Sequence, residues 1–154
     1  MSERAKPLVA AAFMCERVLT EKDSVQTFVR IVDTLIAGSV PPGQAATPFQ
    51  IWLVVMLKSG QARGKYVLTL RMNSPSGKSS PMGEALPFAL SGDEDAVNIN
   101  ALLVLSAAEQ GRYRIDILID DDVLTQVPFT VRLGSSVGPE SEPLTPSESS
   151  DAPE

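Results

Sequence analysis

The sequence predicts an all-β protein, a two-sheet antiparallel sandwich of about eight strands. The clearest sign is a pair of runs, 113–119 and 127–133, in which apolar residues stand at every second position. A short acidic turn, Asp120-Asp121-Asp122, separates them. Two alternating runs around a polar turn are typical of a β-hairpin with one buried face. Similar runs recur along the chain between turn-forming residues, which indicates further strands.

The other elements follow from hydrophobic pattern and turn residues. Phe49–Lys58 is apolar on both faces, which is typical of a strand at the centre of a sheet. Pro87 lies inside a shorter run and indicates an edge strand, whereas residues 74–83 predict a loop. Besides the hairpin, the predicted strands are 7–15, 25–38, 49–58, 65–73, 86–90 and 97–105.

Residues 25–38 are compatible with two structures. Their apolar residues follow a helical spacing, with Ser24 as an N-cap residue and Gly38 as a stop. Their many β-branched residues favour a strand instead. We predict a strand, because the surrounding elements are strands, and keep the helix as the alternative.

Composition bounds the kind of protein. The 154 residues suffice for one ordinary domain, and 44% of them are apolar, as in globular proteins. Residues 134–154 are rich in Ser, Pro and Glu and carry five acidic and no basic residues. We therefore predict a sandwich domain at 1–133 and a disordered acidic tail at 134–154. The body has 14 acidic and 13 basic residues, so it lacks the positive charge that a nucleic-acid partner requires.

One cysteine, Cys15, excludes an internal disulfide, and it is expected to pack as a small hydrophobic residue. The apolar run around it is far shorter than the roughly 20 residues of a membrane span. We expect a cytoplasmic protein with no membrane partner. The chain has no histidine, the commonest general base, so we predict no enzymatic activity and no cofactor.

Two aromatic residues resemble those of immunoglobulin-like and fibronectin-like sandwiches. Trp52 stands on the third predicted strand, where that fold keeps a buried tryptophan. Tyr113, preceded by Glu109 and Gly111, resembles the tyrosine corner, in which the hydroxyl bonds to backbone just upstream. The second cysteine of the family would stand at Ile115, so the resemblance implies an intracellular relative without the disulfide. It also implies that both aromatic rings are buried near the inter-sheet core.

A second resemblance covers more of the chain. The segments Cys15-Glu16-Arg17 and VRIVD at 29–33 resemble those of a group of small uncharacterised bacterial proteins. Members of that group similarly end in a Gly-x-Tyr strand and a Phe-x-Val strand. The resemblance implies a strand at 25–34 and implies nothing catalytic.

Acidic residues are the candidates for a metal or acid–base site. Two turns, 93–95 and 120–122, carry clustered carboxylates, and Ca²⁺ takes six to eight oxygen ligands from such residues. A calcium site formed by both turns is the alternative to simple turn chemistry; its ligands would be Asp93, Asp95, Asp120 and Asp122. A buried carboxylate pair of Glu16 and Asp33, with Arg17 or Arg30, is expected to be structural.

The sequence therefore favours a non-catalytic β-sandwich that binds another protein or itself. Val67 and Leu118 are apolar residues on otherwise polar faces, so they are candidates for an interface. The alternative is a calcium-binding or small-ligand-binding module that uses the acidic end loops.

Overall fold

The computed structural model describes residues 4–38, 48–92, 95–106 and 109–134. In these ranges the chain forms nine strands and no helix, which confirms the all-β prediction. The strands are β1 (Leu8–Thr20), β2 (Gln26–Val32), β3 (Thr34–Gly38), β4 (Phe49–Lys58), β5 (Gly64–Asn73), β6 (Ser79–Leu90), β7 (Ala96–Leu105), β8 (Gly111–Ile119) and β9 (Asp122–Gly134).

The strands form the predicted two sheets. Sheet A has the order β2-β1-β4-β7, and sheet B has the order β3-β9-β8-β5-β6. Neighbouring strands are antiparallel throughout, with the exception of β3 and β9, which run parallel. The sandwich prediction is confirmed, although a purely antiparallel arrangement was wrong for this one pair.

Residues 25–38 are strand, so the helical alternative was wrong, but they are two strands rather than one. β2 pairs with β1 in sheet A, and β3 pairs with β9 in sheet B. The chain changes sheets at Asp33, whose carbonyl oxygen accepts a hydrogen bond from the Thr130 N–H at 2.8 Å. This division accounts for nine strands where about eight were predicted.

The core lies between the two sheets and follows the alternation in the sequence. On β4 the core-facing residues are Ile51, Leu53, Val55 and Leu57, and on β8 they are Tyr113, Ile115, Ile117 and Ile119. Full burial of one such aliphatic side chain contributes roughly 1.5–3 kcal/mol. The central position of β4, between β1 and β7, was predicted correctly.

Trp52 does not belong to this core, so its predicted burial between the sheets was wrong. It alternates with the core-facing residues Ile51 and Leu53 and therefore points to the outer side of sheet A, where it is half-buried. The aromatic residues of the core are Tyr66 on β5, Tyr113 on β8 and Phe129 on β9. The Tyr66 hydroxyl donates to the Ala5 carbonyl oxygen at 2.7 Å. Because β4 is apolar on both faces, the sequence could not indicate which face meets sheet B.

Tyr113 is buried, and its predicted corner is confirmed. Its hydroxyl donates to the carbonyl oxygen of Glu109 at 2.7 Å and accepts from the Glu109 N–H at 3.2 Å. Its ring stacks on Phe129 of β9, with 5.2 Å between ring centroids. The corner thus fixes the start of β8 to the loop before it.

Two strand boundaries differ from the prediction. The supposed loop at 74–83 is wrong in its second half, because β6 begins at Ser79 and pairs with the end of β5. β1 continues past Cys15 to Thr20, because β2 offers it a partner over this stretch. The acidic hairpin turn is confirmed: Ile119 pairs with Asp122, and Asp120 and Asp121 have φ angles of 48° and 69°. Two positive φ angles define the two-residue turn that matches strand twist.

Some predicted features lie outside the described residues. They are the loop at 39–47, Asp93 of the acidic turn, and the tail at 134–154 except for Gly134, which ends β9.

Candidate interaction surface

The outer side of sheet A is formed by residues that alternate with the core. Strand pairing arranges most of them in three adjacent rows that cross the sheet, beyond which Gln50 lies at one end and Lys58 at the other. The first row, which we call the Trp52 row, contains Ile31, Cys15, Trp52 and Leu102, one residue from each strand of sheet A. The next two rows contain Phe13, Val54 and Asn100, and then Ala11, Met56 and Asn98. We call these ten residues, together with Val104 on β7, the sheet A face.

The sheet A face is packed at its centre and exposed at its margins. Cys15 and Val54 are fully buried although they do not face sheet B, so larger side chains of the same face cover them. Phe13 contributes to this cover, with its ring edge-on to Phe28 at 5.1 Å between centroids. At the margins, Ile31 is 64% exposed and Leu102 is 50% exposed. Within the described part of the chain, no second layer covers this apolar layer.

None of the eleven residues of this face carries a charge. In antiparallel sandwiches the outer face of a sheet is usually solvated and polar. The outer face of sheet B follows that rule, since Arg71, Asn73 and Asp116 lie on it. The two outer faces of this sandwich therefore differ in character, and sheet A is the unusual one.

Asp116 is the most constrained polar residue of sheet B. It alternates with the core-facing residues of β8 and therefore lies on the outer side of sheet B, yet it is only 2% exposed. One carboxylate oxygen accepts from Arg71 Nε at 3.0 Å, Arg71 Nη2 at 2.7 Å and Asn73 Nδ2 at 2.9 Å. The other accepts from Gln126 Nε2 at 2.8 Å. Three neighbouring strands, β5, β8 and β9, thus converge on one carboxylate.

The electrostatics of Asp116 follow from these contacts. Burial acts to raise its pKa, but the hydrogen bonds from Asn73, Arg71 and Gln126, with the charge of Arg71, outweigh burial and hold the pKa below its ordinary value. Asp116 is therefore ionised, and both of its carboxylate oxygens accept hydrogen bonds that link neighbouring strands. Its pairing with Gln126 follows from the hairpin register; its pairing with Arg71 depends on a strand order that the sequence does not contain.

The two apolar residues predicted at an interface have different surroundings. Val67 is 39% exposed on sheet B, as expected. Leu118 is 8% exposed, so its predicted exposure was wrong. It lies beside a shift in the β8–β9 register, between Ile117 and Leu118, where strict alternation is interrupted.

Among the described residues of the two acidic turns, Asp95, Asp120 and Asp122 have partners within the chain. Asp95 accepts from the Ser91 N–H at 2.9 Å and the Ser91 hydroxyl at 2.8 Å, which lower its pKa. Asp120 pairs with Arg4 at 3.2 Å, and Asp122 pairs with Lys6 at 3.3 Å. Among the described residues, no group of three or more Asp, Glu, Cys or His side chains could hold a metal ion.

The other charged candidates are also exposed or structural. Glu16 pairs with Arg30 at 3.1 Å, as the sequence allowed, but both side chains are exposed, so the expected buried pair was wrong. Asp33 is exposed and accepts from the Thr34 hydroxyl at 3.2 Å. A cleft of about 440 Å³ lies beside the Glu16–Arg30 pair, bounded on its other side by Phe49 and Ile51.

Cys15 is a buried free thiol on the Trp52 row of the sheet A face. Its Sγ donates to the Arg17 carbonyl oxygen at 3.4 Å. Burial raises the pKa of the thiol, which outweighs the opposite effect of that hydrogen bond. The thiol therefore stays protonated at neutral pH and acts as a packing group.

Within the described ranges, none of the secondary structure is a helix of the length and apolarity that crossing a membrane requires.

Comparison with solved structures gives matches of low sequence identity. The chain is similar to an alkylpurine DNA glycosylase from Pseudomonas fluorescens bound to DNA with an abasic site analogue. The identity is 13% and the TM-score 0.47, over 84% of this chain and only 31% of the glycosylase. An immunoglobulin-like protein from Pseudomonas aeruginosa is 15% identical, with TM-score 0.41, over 85% of this chain and 100% of that one. The periplasmic chaperone SfaE is 12% identical, with TM-score 0.36, over 73% and 60% of the two chains.

Comparison with curated proteins gives no match. Residues 10–132, which include most of the sandwich, match the family of unknown function DUF6941. The chain is therefore a member of the DUF6941 family.

Proposed function

We propose that this protein is a non-catalytic β-sandwich that acts by binding another protein, or a second copy of itself, through the sheet A face. The observation that supports this proposal is the contrast between the two outer faces. Sheet A presents eleven uncharged residues, most of them apolar, whereas sheet B presents Asp116 and its hydrogen-bond partners. A contiguous exposed apolar layer on a water-soluble domain is typical of an interaction site.

The size of the face supports the proposal. Strands are about 4.8 Å apart and rise about 3.3 Å per residue, so four strands over about six residues present roughly 300 Å² in projection. Apolar patches of roughly 300–600 Å² on monomers are often functional. Covering the exposed parts of Ile31, Leu102 and Val104, which is 59% exposed, would remove three large aliphatic side chains from water. Each contributes on the order of 1 kcal/mol for the half that is exposed.

The acidic groups of the fold support a structural role rather than a catalytic one. Asp116 has its acceptors filled by three side chains, and Asp120 and Asp122 are paired with cations. A general acid or base needs a free path to a substrate proton. These carboxylates instead hold strands and turns in place.

The test is retention of a partner by tagged protein in lysate of the native host. Ile31→Lys places a charge on the face at its margin, where the side chain is exposed and folding tolerates the change. Val67→Lys is the matched control, an exposed valine on sheet B. We expect wild type and Val67→Lys to retain the same protein and Ile31→Lys to lose it. Equal retention by all three proteins would contradict the proposal.

The intrinsic fluorescence of Trp52 gives an independent readout. Trp52 is the one tryptophan of the chain and lies on the sheet A face. Covering the face excludes water from the half-buried indole, so the emission should shift to shorter wavelength when the retained partner is added back. Ile31→Lys should abolish the shift, and Val67→Lys should preserve it.

A further inference from the structure

The edges of the two sheets are not equally protected. A free sheet edge exposes unpaired backbone N–H and C=O groups, and natural proteins protect it with proline, charge, bulges or short strands. β6 carries Pro81 and Pro87, and the β5–β6 register shifts between Leu68 and Leu70. β2 contains Arg30 at a φ angle of 56°, which interrupts the extended backbone. β3 has five residues, and the part of β9 that it leaves uncovered carries Asp122 and Pro128.

β7 has none of these protective features. Its ten residues, AVNINALLVL, include no proline and no charged side chain. It pairs with β4 over all ten positions without a register shift, so it is straight and regular. Among the described residues, β4 is its one neighbour in the sheet. The free edge of β7 can therefore form backbone hydrogen bonds with a further strand.

We propose that a second copy of this chain pairs with β7, antiparallel and across a two-fold axis, so that two four-stranded A sheets become one eight-stranded sheet. The proposal rests on the proposed function, because the joined sheet places two sheet A faces side by side as one binding surface. Edge pairing uses the backbone of β7 and leaves the Trp52 row of each face accessible to a partner.

The sequence of β7 is complementary to itself in this arrangement. With Asn100 opposite its own copy, Asn98 faces Leu102 and Ala96 faces Val104 on the outer side. On the core side Val97 faces Leu103 and Ile99 faces Ala101. Uncharged residues meet uncharged residues at every position, so the pairing involves no charge repulsion. An extended segment of another protein would have to match both apolar faces of β7, which the second copy does by symmetry.

Asn100 favours this register over the one that is shifted by one residue on each strand. Its side-chain Oδ1 is enclosed and has no hydrogen-bond partner. An unpartnered buried acceptor costs free energy. The torsion that turns the amide is soft, so two Asn100 side chains on the axis can each donate to the other. Shifting the register by one residue on each strand would place Asn100 opposite Leu102, which offers no donor.

The joined edge also covers an open side of each sandwich. A cleft of about 350 Å³ separates β6 from β7 and is lined by Met72, Pro81, Met82, Leu103 and Leu105, among others. The core-facing side chains of the added strand extend over the mouth of this cleft. The dimer thereby gains apolar burial besides the backbone hydrogen bonds.

The test is the oligomeric state of the full chain by sedimentation velocity over a range of concentrations. We expect a dimer for wild type. Asn100→Lys introduces the residue with which natural edges prevent pairing, and removing the Asn100 amide breaks no hydrogen bond of its Oδ1. Two lysines then meet on the axis, so the dissociation constant should rise at least about tenfold. The matched control is Thr27→Lys, at an exposed position on β2, the opposite edge of the same sheet.

Cysteine substitution tests the register directly. Residues directly opposite in antiparallel strands have Cα atoms about 4.5–5.5 Å apart, within disulfide range. Asn100→Cys should form an intermolecular disulfide under mild oxidation. Asn98→Cys should not, because four residues and roughly 13 Å separate the two copies of position 98 along the strand. The wild-type protein is the control for crosslinking through Cys15, the native cysteine, which is buried.

The outcomes separate this inference from the proposed function. A dimer that Asn100→Lys weakens, with crosslinking at position 100 and not at 98, supports edge pairing. A monomeric wild type overturns edge pairing, and so does a dimer that persists in Asn100→Lys without crosslinking at position 100. Neither result affects the partner-retention test with Ile31→Lys, because Ile31 lies on β2, at the opposite side of the sheet from β7. Circular dichroism of each variant confirms that it is folded.

Discussion

Replacing Asp116 with asparagine tests whether the carboxylate holds sheet B together. Asp116 accepts four hydrogen bonds from Arg71, Asn73 and Gln126. Asparagine keeps one carbonyl oxygen, which can retain the bonds from Arg71 and Asn73, and presents an amide N–H₂ to Gln126. At least the Gln126 bond is therefore lost, and the three remaining bonds no longer go to a charged acceptor. Hydrogen bonds to a charged group contribute about 1.5–3 kcal/mol each. The lower end applies, because Arg71 is partly exposed and regains water. We expect a loss of about 3 kcal/mol in the free energy of unfolding.

The assay is equilibrium urea unfolding of Asp116→Asn at neutral pH, followed by circular dichroism. The matched control is Asp33→Asn, since Asp33 is exposed and has the Thr34 hydroxyl as its side-chain partner. The control should stay within about 0.5 kcal/mol of wild type. An Asp116→Asn variant as stable as the control would refute the reasoning, because the network would then contribute nothing beyond an exposed carboxylate.

The pH dependence gives a second check with a defined sign. The pKa of Asp116 is lower in the folded protein than its ordinary value. The stability that ionised Asp116 contributes is therefore fully present above the unfolded-state pKa and is lost as the pH falls through the folded-state pKa. Since the unfolded value is about 3.9, the difference between wild type and Asp116→Asn should shrink below about pH 4. A difference that grows with acidification would contradict the assignment.

Three further results are expected. Tyr113→Phe removes the hydroxyl that bonds to Glu109 and should lower the free energy of unfolding by about 1 kcal/mol, measured by urea unfolding. No change would mean that the tyrosine corner does not contribute to stability. Leu53→Ala should lower the free energy of unfolding by about 2–5 kcal/mol, because Leu53 is fully buried in the inter-sheet core. Trp52→Ala should lower it by less, because Trp52 is half-buried and lies outside that core. Millimolar Ca²⁺ should leave the unfolding temperature unchanged, because Asp120 and Asp122 are already paired with Arg4 and Lys6; a rise in that temperature would support the calcium alternative.

The sequence predicted strands well where alternation is strict. Tyr113, Ile115 and Ile117 all face the core as predicted, because a period of two fixes the face once one residue is assigned. Even the tyrosine corner follows from local spacing, since its hydrogen bond joins residues four positions apart. The acidic hairpin turn was predictable for the same reason, because its two-residue loop is local.

The features that the sequence did not predict depend on long-range pairing. The orientation of Trp52 depends on which face of β4 meets sheet B, and β4 is apolar on both faces. The burial of Asp116 depends on Arg71, which lies 45 residues away. The candidate surface itself required the strand order, because Cys15, Trp52 and Leu102 become one row only when β1, β4 and β7 are neighbours.

The parallel pairing of β3 with β9 has a consequence for synthesis of the chain on the ribosome. Among the described strands, β3 has β9 as its one neighbour in sheet B, and β9 follows it by roughly 90 residues. At about 5–20 residues per second, β3 waits roughly 5–20 s for its partner strand. During that interval Leu35, buried in the finished core, and Ile36 have no strand beside them, while β1, β2 and β4 can already assemble. Newly made chains should therefore pass through a state in which β1, β2 and β4 of sheet A are paired while β3 still lacks its partner strand, and chaperones that bind apolar segments would find residues 34–38 accessible in it.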